Sequence, residues 1–594
     1  MGFNGKKGSL WVLFLSASLL VGCGGGSSSK SGSTVAPATS GSTAAPTSSG
    51  TVGSPTSGTT NTPTASLGAG PVLNTVQFDD VDGDDMVSKG DKLVATFVDD
   101  LEPVPAGLNP ADEFELLVAD DTFGAGATLE SGPAANQVQI TLGDEPRLYV
   151  SATFDPNKTT KGEASGINVS ANATGQIRGL GEGAVQASAA PVDVSGTLTA
   201  SFHNGASLND PRGAHVSVTL DDGRVLVVGG LAGTKKEDLV TEAELYDPLT
   251  DSFVRVSDLS GEAGRMKRGK VNVGFFQGTA VKLKNGDVLI SGGYGVEKKS
   301  FFGLGKTKVD TLESAFLFHP QTNTFERVGD MVTPRHSHTA TLLDDGRVLI
   351  AGGYNDSLWS KSKSQAPLEV YDPANKRFEK LGKIFRRVKL QTPRQNHSAV
   401  ALDNGNSVLF SGGVRWKGGA LFGLIKPKLE AVQGSEALVG GSKTEKFGDM
   451  AESRLNHTSL EFAPYKVAAF GGHSLNGGAV ATVEVFDANT GAWTSAGSLS
   501  TPRSGPLAAI VRNEVLVIGG HTGVSETDVV EVFQRDAGTM ANGTYTLNTA
   551  RNGCTVNTLA DGRVLVIGGL SGSSASWLSL DGAPLASTEV YVSH

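Results

Sequence analysis

The 594-residue sequence predicts an all-β chain, a seven-bladed β-propeller over residues 196–594 preceded by a small β-sandwich over 69–195. Three observations carry this expectation. Gly-Gly pairs close an apolar run seven times, at Gly229-Gly230, Gly292-Gly293, Gly352-Gly353, Gly412-Gly413, Gly471-Gly472, Gly519-Gly520 and Gly568-Gly569. Their spacing of roughly 50 to 60 residues marks a repeat architecture. Asp-Gly dipeptides such as Asp345-Gly346 separate apolar runs, which is a hairpin signal. Finally, 78 glycines with 38% hydrophobic and 6% aromatic residues suit short strands and turns better than helices.

Taken in order, Lys6, Lys7 and the apolar run Leu10 to Val21 read as an export signal over residues 1–23, because the run is short for a membrane span. Leu20-Val21-Gly22-Cys23 resembles a bacterial lipobox, which implies lipidation at Cys23. The other cysteine, Cys554, falls in an expected strand, so no disulfide framework is foreseen. Gly24 after the cysteine implies, by the same resemblance, attachment to the outer membrane or cell surface of a Gram-negative bacterium. Several acyl chains would make that attachment lasting, since one binds a bilayer only marginally. Residues 24–68 are Gly, Ser, Thr, Ala and Pro with almost no charge, a composition for a flexible tether.

Residues 69–195 alternate apolar and polar positions in short runs, for example Leu73 to Phe78, Lys92 to Phe97, Gln137 to Ile140 and Arg147 to Val150. Gly, Pro, Asp and Asn punctuate them, giving a small antiparallel sandwich rich in carboxylates. The pattern resembles a bacterial Ig-like spacer domain.

Each repeat then has one order. In the third, Pro334-Arg335 leads into a strand, Asp345-Gly346 turns it, Arg347 to Ala351 runs into Gly352-Gly353, and Leu368 to Pro373 and a strand around Phe378 complete four strands. The seventh unit supplies three strands before His594, whereas Gly196 to Phe202 precede the first Pro211-Arg212 without a unit of their own. An N-terminal strand completing the seventh blade would pair an otherwise open sheet edge.

This order resembles the kelch family and its galactose-oxidase-like variants across residues 196–594. For the oxidases the resemblance implies copper held by Tyr and His, a Tyr crosslinked to Cys, and a ligand from a domain after the propeller. Here no Tyr-His dipeptide occurs, Tyr246, Tyr371 and Tyr591 are repeat positions, Cys554 stands where other repeats have His, and the chain ends within the seventh blade. Copper radical oxidase chemistry is therefore not expected.

Arg-x-x-His recurs at Arg212/His215, Arg335/His338, Arg394/His397 and Arg454/His457, with Gly278, Pro506 and Cys554 in the histidine's place elsewhere. Imidazoles converging on the axis could hold a metal; a repeated residue more often serves blade-to-blade hydrogen bonding, and that is the expectation. Asp80, Asp82, Asp84 and Asp91 match the oxygen-rich spacing of a calcium loop, with Asp85 where the turn glycine usually stands. Weak calcium binding and a solvated acidic hairpin both remain open.

The loops after the Gly-Gly pairs are basic in the first four blades and nearly uncharged by cations in the last three. The binding-face candidates are Lys298, Lys299, Phe302, Lys306 and Lys308 in the second, and Arg415, Lys417, Phe422, Lys426 and Lys428 in the fourth. Two inter-blade connections, around Arg265 to Lys270 and Lys383 to Lys389, add positive charge on the same side. Apolar tips beside cations offer contact area and charge to an anionic polysaccharide or protein.

A net charge of -11 argues against a nucleic-acid protein. Gly-x-Ser-x-Gly elbows, His-Glu-x-x-His and Cys-x-x-Cys signatures are missing from the sequence. The expectation is a monomeric, membrane-anchored, non-catalytic binding or scaffold protein with no certain cofactor, the alternative being a carbohydrate-active enzyme with a site at the propeller centre.

Overall fold

The computed structural model describes residues 70–592 except 82–86, 119–120, 145, 149, 151–164, 197–200, 234–237, 257–264, 267–268, 271–272, 298–308, 356–363, 384–385, 403–404, 418–427 and 573–581. The chain divides into two compact units at Thr197/Leu198.

In the N-terminal unit seven strands follow one hydrogen-bonded order. Period-two burial places Val76 and Phe78 of Leu73–Asp79, Leu93, Ala95 and Phe97 of Lys92–Phe97, and Val138 and Ile140 of Gln137–Thr141 on one apolar core. Most neighbours are antiparallel. Leu73–Asp79 and Val192–Ser195 run parallel, Val76 opposite Val194, so the domain's two ends lie side by side.

The second unit is all-β, with seven four-stranded antiparallel blades. Blade 3 shows the pattern with His336–Leu342, Val348–Tyr354, Glu369–Asp372 and Arg377–Lys380. Its first turn is fixed locally: Asp345 accepts the Arg347 backbone N–H at 3.0 Å, while the Arg347 guanidinium grips the same carboxylate at 2.6 Å. The same Asp-Gly-Arg device recurs at Asp222/Arg224 and Asp561/Arg563. Val348, Leu349 and Ile350 are completely buried, because both faces of this strand are covered by packed side chains.

Innermost strands adjoin those of the flanking blades around a closed ring, blade 7 meeting blade 1. The fourth strand of blade 7 comes from the beginning of the unit: Ser201–Gly205 pairs antiparallel with Thr588–Val592, Phe202 opposite Tyr591. Their rings touch at 5.1 Å between centroids.

The Gly-Gly pairs make the blade-to-blade joint. Both glycines have positive φ in every blade, 54–70° for the first and 92–112° for the second. A Cβ on the first would lie within 2.8 Å of a backbone carbonyl in the next blade. The second donates its N–H to that same carbonyl at 2.8–3.0 Å, from Gly230 to Phe275 through Gly569 to Arg212. Only glycine permits this approach.

Candidate functional site

Six blades share a buried charge clamp. Arg212, Arg335, Arg394, Arg454, Arg503 and Arg551 are fully buried and pair at 2.5–2.7 Å with Glu244, Glu369, Glu436, Glu484, Glu531 and Glu589 on the third strands. Each arginine also donates to the carbonyl of its blade's first Gly, as Arg335 does to Gly352 at 2.8 Å. Each glutamate also accepts lead-in N–H groups, as Glu436 does from Gln391 and Thr392. Burial depresses the Arg335 and Arg394 pKa, while the adjacent carboxylates oppose that shift.

The histidines three residues on reach backwards. His215 contacts Thr555 at 2.8 Å, His338 contacts Thr279 at 3.1 Å, His397 contacts Thr339 at 3.1 Å and His457 contacts Ser411 at 3.0 Å, each partner belonging to the preceding blade. Burial, with the neighbouring arginine adding repulsion, pushes His215 and His457 down to about 3. These neutral rings join blades. Cys554, in the same repeat position, is a free and buried thiol pushed up to about 11 by burial, which makes it a poor thiolate.

The lead-in segments and Gly-Gly pairs meet at one end of every blade, the end carrying the loops between second and third strands. Around the axis at this end, the residue after each Gly-Gly pair bridges the residue after each clamp position. The seven pairs are Gly213/Leu231, Phe276/Tyr294, His336/Tyr354, Gln395/Val414, Leu455/His473, Ser504/His521 and Asn552/Leu570. Their chemistry is segregated. Through blades 2 to 4 runs an unbroken chain of rings: Phe276 to Tyr294 at 5.7 Å, Tyr294 to His336 at 5.4 Å, His336 to Tyr354 at 5.4 Å and Tyr354 to Trp416 at 6.5 Å. The first three contacts are edge-to-face, the geometry ring quadrupoles favour. Tyr294, Tyr354 and Trp416 are half-buried.

Blades 5 and 6 carry imidazoles instead. His473 is pushed down to about 4 by burial, and His521 bridges Glu526. Among the described residues no three His, Cys, Asp or Glu side chains converge as a metal site requires. Tyr246, Tyr371 and Tyr591 lie opposite Val225, Val348 and Val564, where the second strands begin, and so occupy the opposite end of the blades.

Cys23, Lys298, Lys299, Phe302, Lys306, Lys308, Phe422 and Lys426 lie outside the described residues, as do Asp82 and Asp84. Arg415 and Lys417 lie on the hairpin Val414–Lys417/Lys428–Ala431, and both pair with Glu430, at 3.1 and 3.5 Å. Lys428 stands opposite Lys417. Asp91 is buried and accepts N–H groups from Val81 and Ser88 at 3.0 and 2.7 Å; Asp80 is half-buried.

The aromatic arc escapes a residue-by-residue reading because its members are scattered over the sequence from 276 to 416. Aligning the residue after each Gly-Gly pair gives Leu, Tyr, Tyr, Val, His, His and Leu, and this column is the available signal.

Residues 212–260 match the family model described as the Kelch motif. No curated protein matches the chain. Among solved structures, a novel fungal alcohol oxidase with catalytic diversity among the AA5 family, in complex with copper, matches at a TM-score of 0.48 and 13% identity, over 66% of this chain and 76% of that chain. That likeness assigns no residue a role.

Proposed function

We propose that this is an envelope-anchored, non-catalytic binding protein whose propeller presents its loop face to a glycan. The supporting observation is the ring chain from Phe276 to Trp416, part-exposed and continuous across three blades. Aromatic faces offer the apolar C–H surface of a sugar ring a large contact at low entropic cost, with polar groups nearby to fix orientation. Lipidation at Cys23 and the tether of residues 24–68 would hold this face away from the membrane.

A glycan array followed by calorimetry on the purified protein tests the reading. Trp416→Ala and Tyr354→Ala should each weaken binding by about tenfold, the worth of one lost ring contact. Binding unchanged in both variants, or no glycan bound by the parent, would overturn it. The imidazoles of His473 and His521 in adjacent blades, with Glu526 bridged to His521 through the backbone, favour a second reading, a carbohydrate-active enzyme at the same face. Release of reducing sugar from a bound glycan, lost in His521→Ala, would establish that reading in place of the first.

A further inference from the structure

Along the flank of blade 3 lies a groove of about 600 Å3 that shares no lining residue with the aromatic arc. Its lining combines the apolar Val332, Val370, Phe378 and Leu381 with the cations Arg347, Lys380, Lys383 and Arg387 and one carboxylate, Glu379. Part of the lining belongs to a short hairpin in which Gly382 faces Arg387 and Lys383 faces Arg386. Gly382 has φ +91°, and a Cβ there would lie 2.4 Å from the Arg386 carbonyl, so glycine is what lets this cationic hairpin fold over the groove.

The cations are not equally committed. Arg347 is held by Asp345. Among the described residues, Lys380 and Lys383 have no ion-pair partner, and Lys383, Arg386 and Arg387 are exposed. Positive charge on adjacent exposed positions of one hairpin is self-repelling, a cost that an anionic ligand relieves.

We infer that this groove binds an anionic polysaccharide, at a site separate from the glycan contact proposed for the loop face. Charge identifies the ligand's sign, and the backbone distinguishes a polymer of sugars from an acidic peptide. A peptide docking on the flank of a blade would add as a strand to Arg377–Lys380, its outermost strand. The Arg387 guanidinium already donates to the Lys380 carbonyl at 3.1 Å and the Gly382 carbonyl at 3.4 Å, occupying acceptors such a strand would need. A hydrated chain bearing carboxylates or sulfates needs no strand edge and meets the cations directly.

Retention of the full chain on immobilised polygalacturonate and dextran sulfate, against poly-glutamate, tests this at ionic strengths below and above ~0.1 M, where the Debye length is about 10 Å. The parent should bind at least one polysaccharide, and salt should weaken it. Lys383→Glu with Arg387→Glu should lower affinity about tenfold and flatten the salt dependence, since exposed charges attract modestly and are screened by salt. Arg387→Lys, which keeps the charge, should retain binding, and Trp416→Ala should leave it unchanged, so this site and the loop-face site fail separately. Equal retention of parent and double variant, or retention on poly-glutamate alone, would overturn the inference.

Discussion

Blade 2 and the six other blades fill the same space with opposite chemistry. Where the others bury Arg against Glu, blade 2 has Phe275 and Phe316, both packed in one apolar cluster. The equivalence is fixed by the backbone: Phe275 supplies the carbonyl that Gly230 donates to, and Phe316 stands opposite Ile290 as Glu369 stands opposite Ile350. The Phe275 ring lies against Gly229, the place where His338 lies against Gly292, and Gly278 leaves room for it. One ring thus takes over the histidine's contact while removing the arginine's charge. The lead-in differs accordingly. Val273–Phe276 is a strand hydrogen-bonded to Tyr294–Glu297, so its N–H groups are satisfied by a ladder, whereas the turns of the other blades depend on the glutamate. The charge clamp is therefore tied to the turn it holds, and a blade that extends its lead-in can dispense with it.

The largest effect should come from breaking one clamp on one side. Glu369→Ala leaves Arg335 charged and fully buried and removes the acceptor of the Val332 N–H at 2.9 Å. A loss of about 3–5 kcal/mol is expected, read from the midpoint of urea unfolding, because an uncompensated buried charge costs more than the intact pair contributes. A loss below about 1 kcal/mol would mean that the clamp is dispensable even where the turn needs it.

The contrast between blades also shows what a linear reading reaches. Gly-Gly and Asp-Gly are legible because their conformations are local: positive φ and a two-residue turn need only glycine and a neighbouring carboxylate. The blade-7 strand Ser201–Gly205 is legible from a count of strands. Glutamate as the arginine's partner is harder, since 28 to 42 residues separate the two in different blades; the simultaneous loss of both in blade 2 is the trace that survives in the sequence. The loop-face charge is less legible still. Arg415 and Lys417 look like free cations along the chain, yet the hairpin folds Glu430 back onto both. The ring chain from Phe276 to Trp416 depends on the packing of neighbouring blades, which no single repeat encodes.

An intermediate effect should follow from rebuilding blade 2 inside blade 3. Arg335→Phe with Glu369→Phe removes both charges but leaves His338 where the new ring would lie; adding His338→Gly reproduces the space beside Gly278. The triple variant should be more stable than either Glu369→Ala or the double variant. It should remain below the parent by about 1–3 kcal/mol, the cost of an N–H at Val332 left without its acceptor. If the triple variant is as damaged as Glu369→Ala, aromatic filling is not what replaces the clamp in blade 2.

The smallest effect separates blades by pH. His457 is neutral in the folded protein, its pKa pushed down to about 3 chiefly by burial and further by Arg454, whereas an imidazole in the unfolded chain titrates near 6.5. Below pH 6.5 the unfolded chain gains a proton that the folded one refuses until pH about 3, so the stability present at neutral pH is lost as pH falls through that window. One such ring should cost about 0.7 kcal/mol between pH 7 and 6, and up to about 1.4 kcal/mol for each further unit. His457→Gln, able to keep a hydrogen bond to Ser411, should shrink the acid-induced loss by that amount, measured by urea unfolding at the two pH values. Gly278→Ala, at the position where blade 2 has glycine in place of the repeat histidine, should lower stability by the same amount at both, because its Cβ would meet the Phe275 ring at 2.8 Å whatever the pH. An acid limb unchanged by His457→Gln would show that the buried imidazole does not set the pH response of these joints.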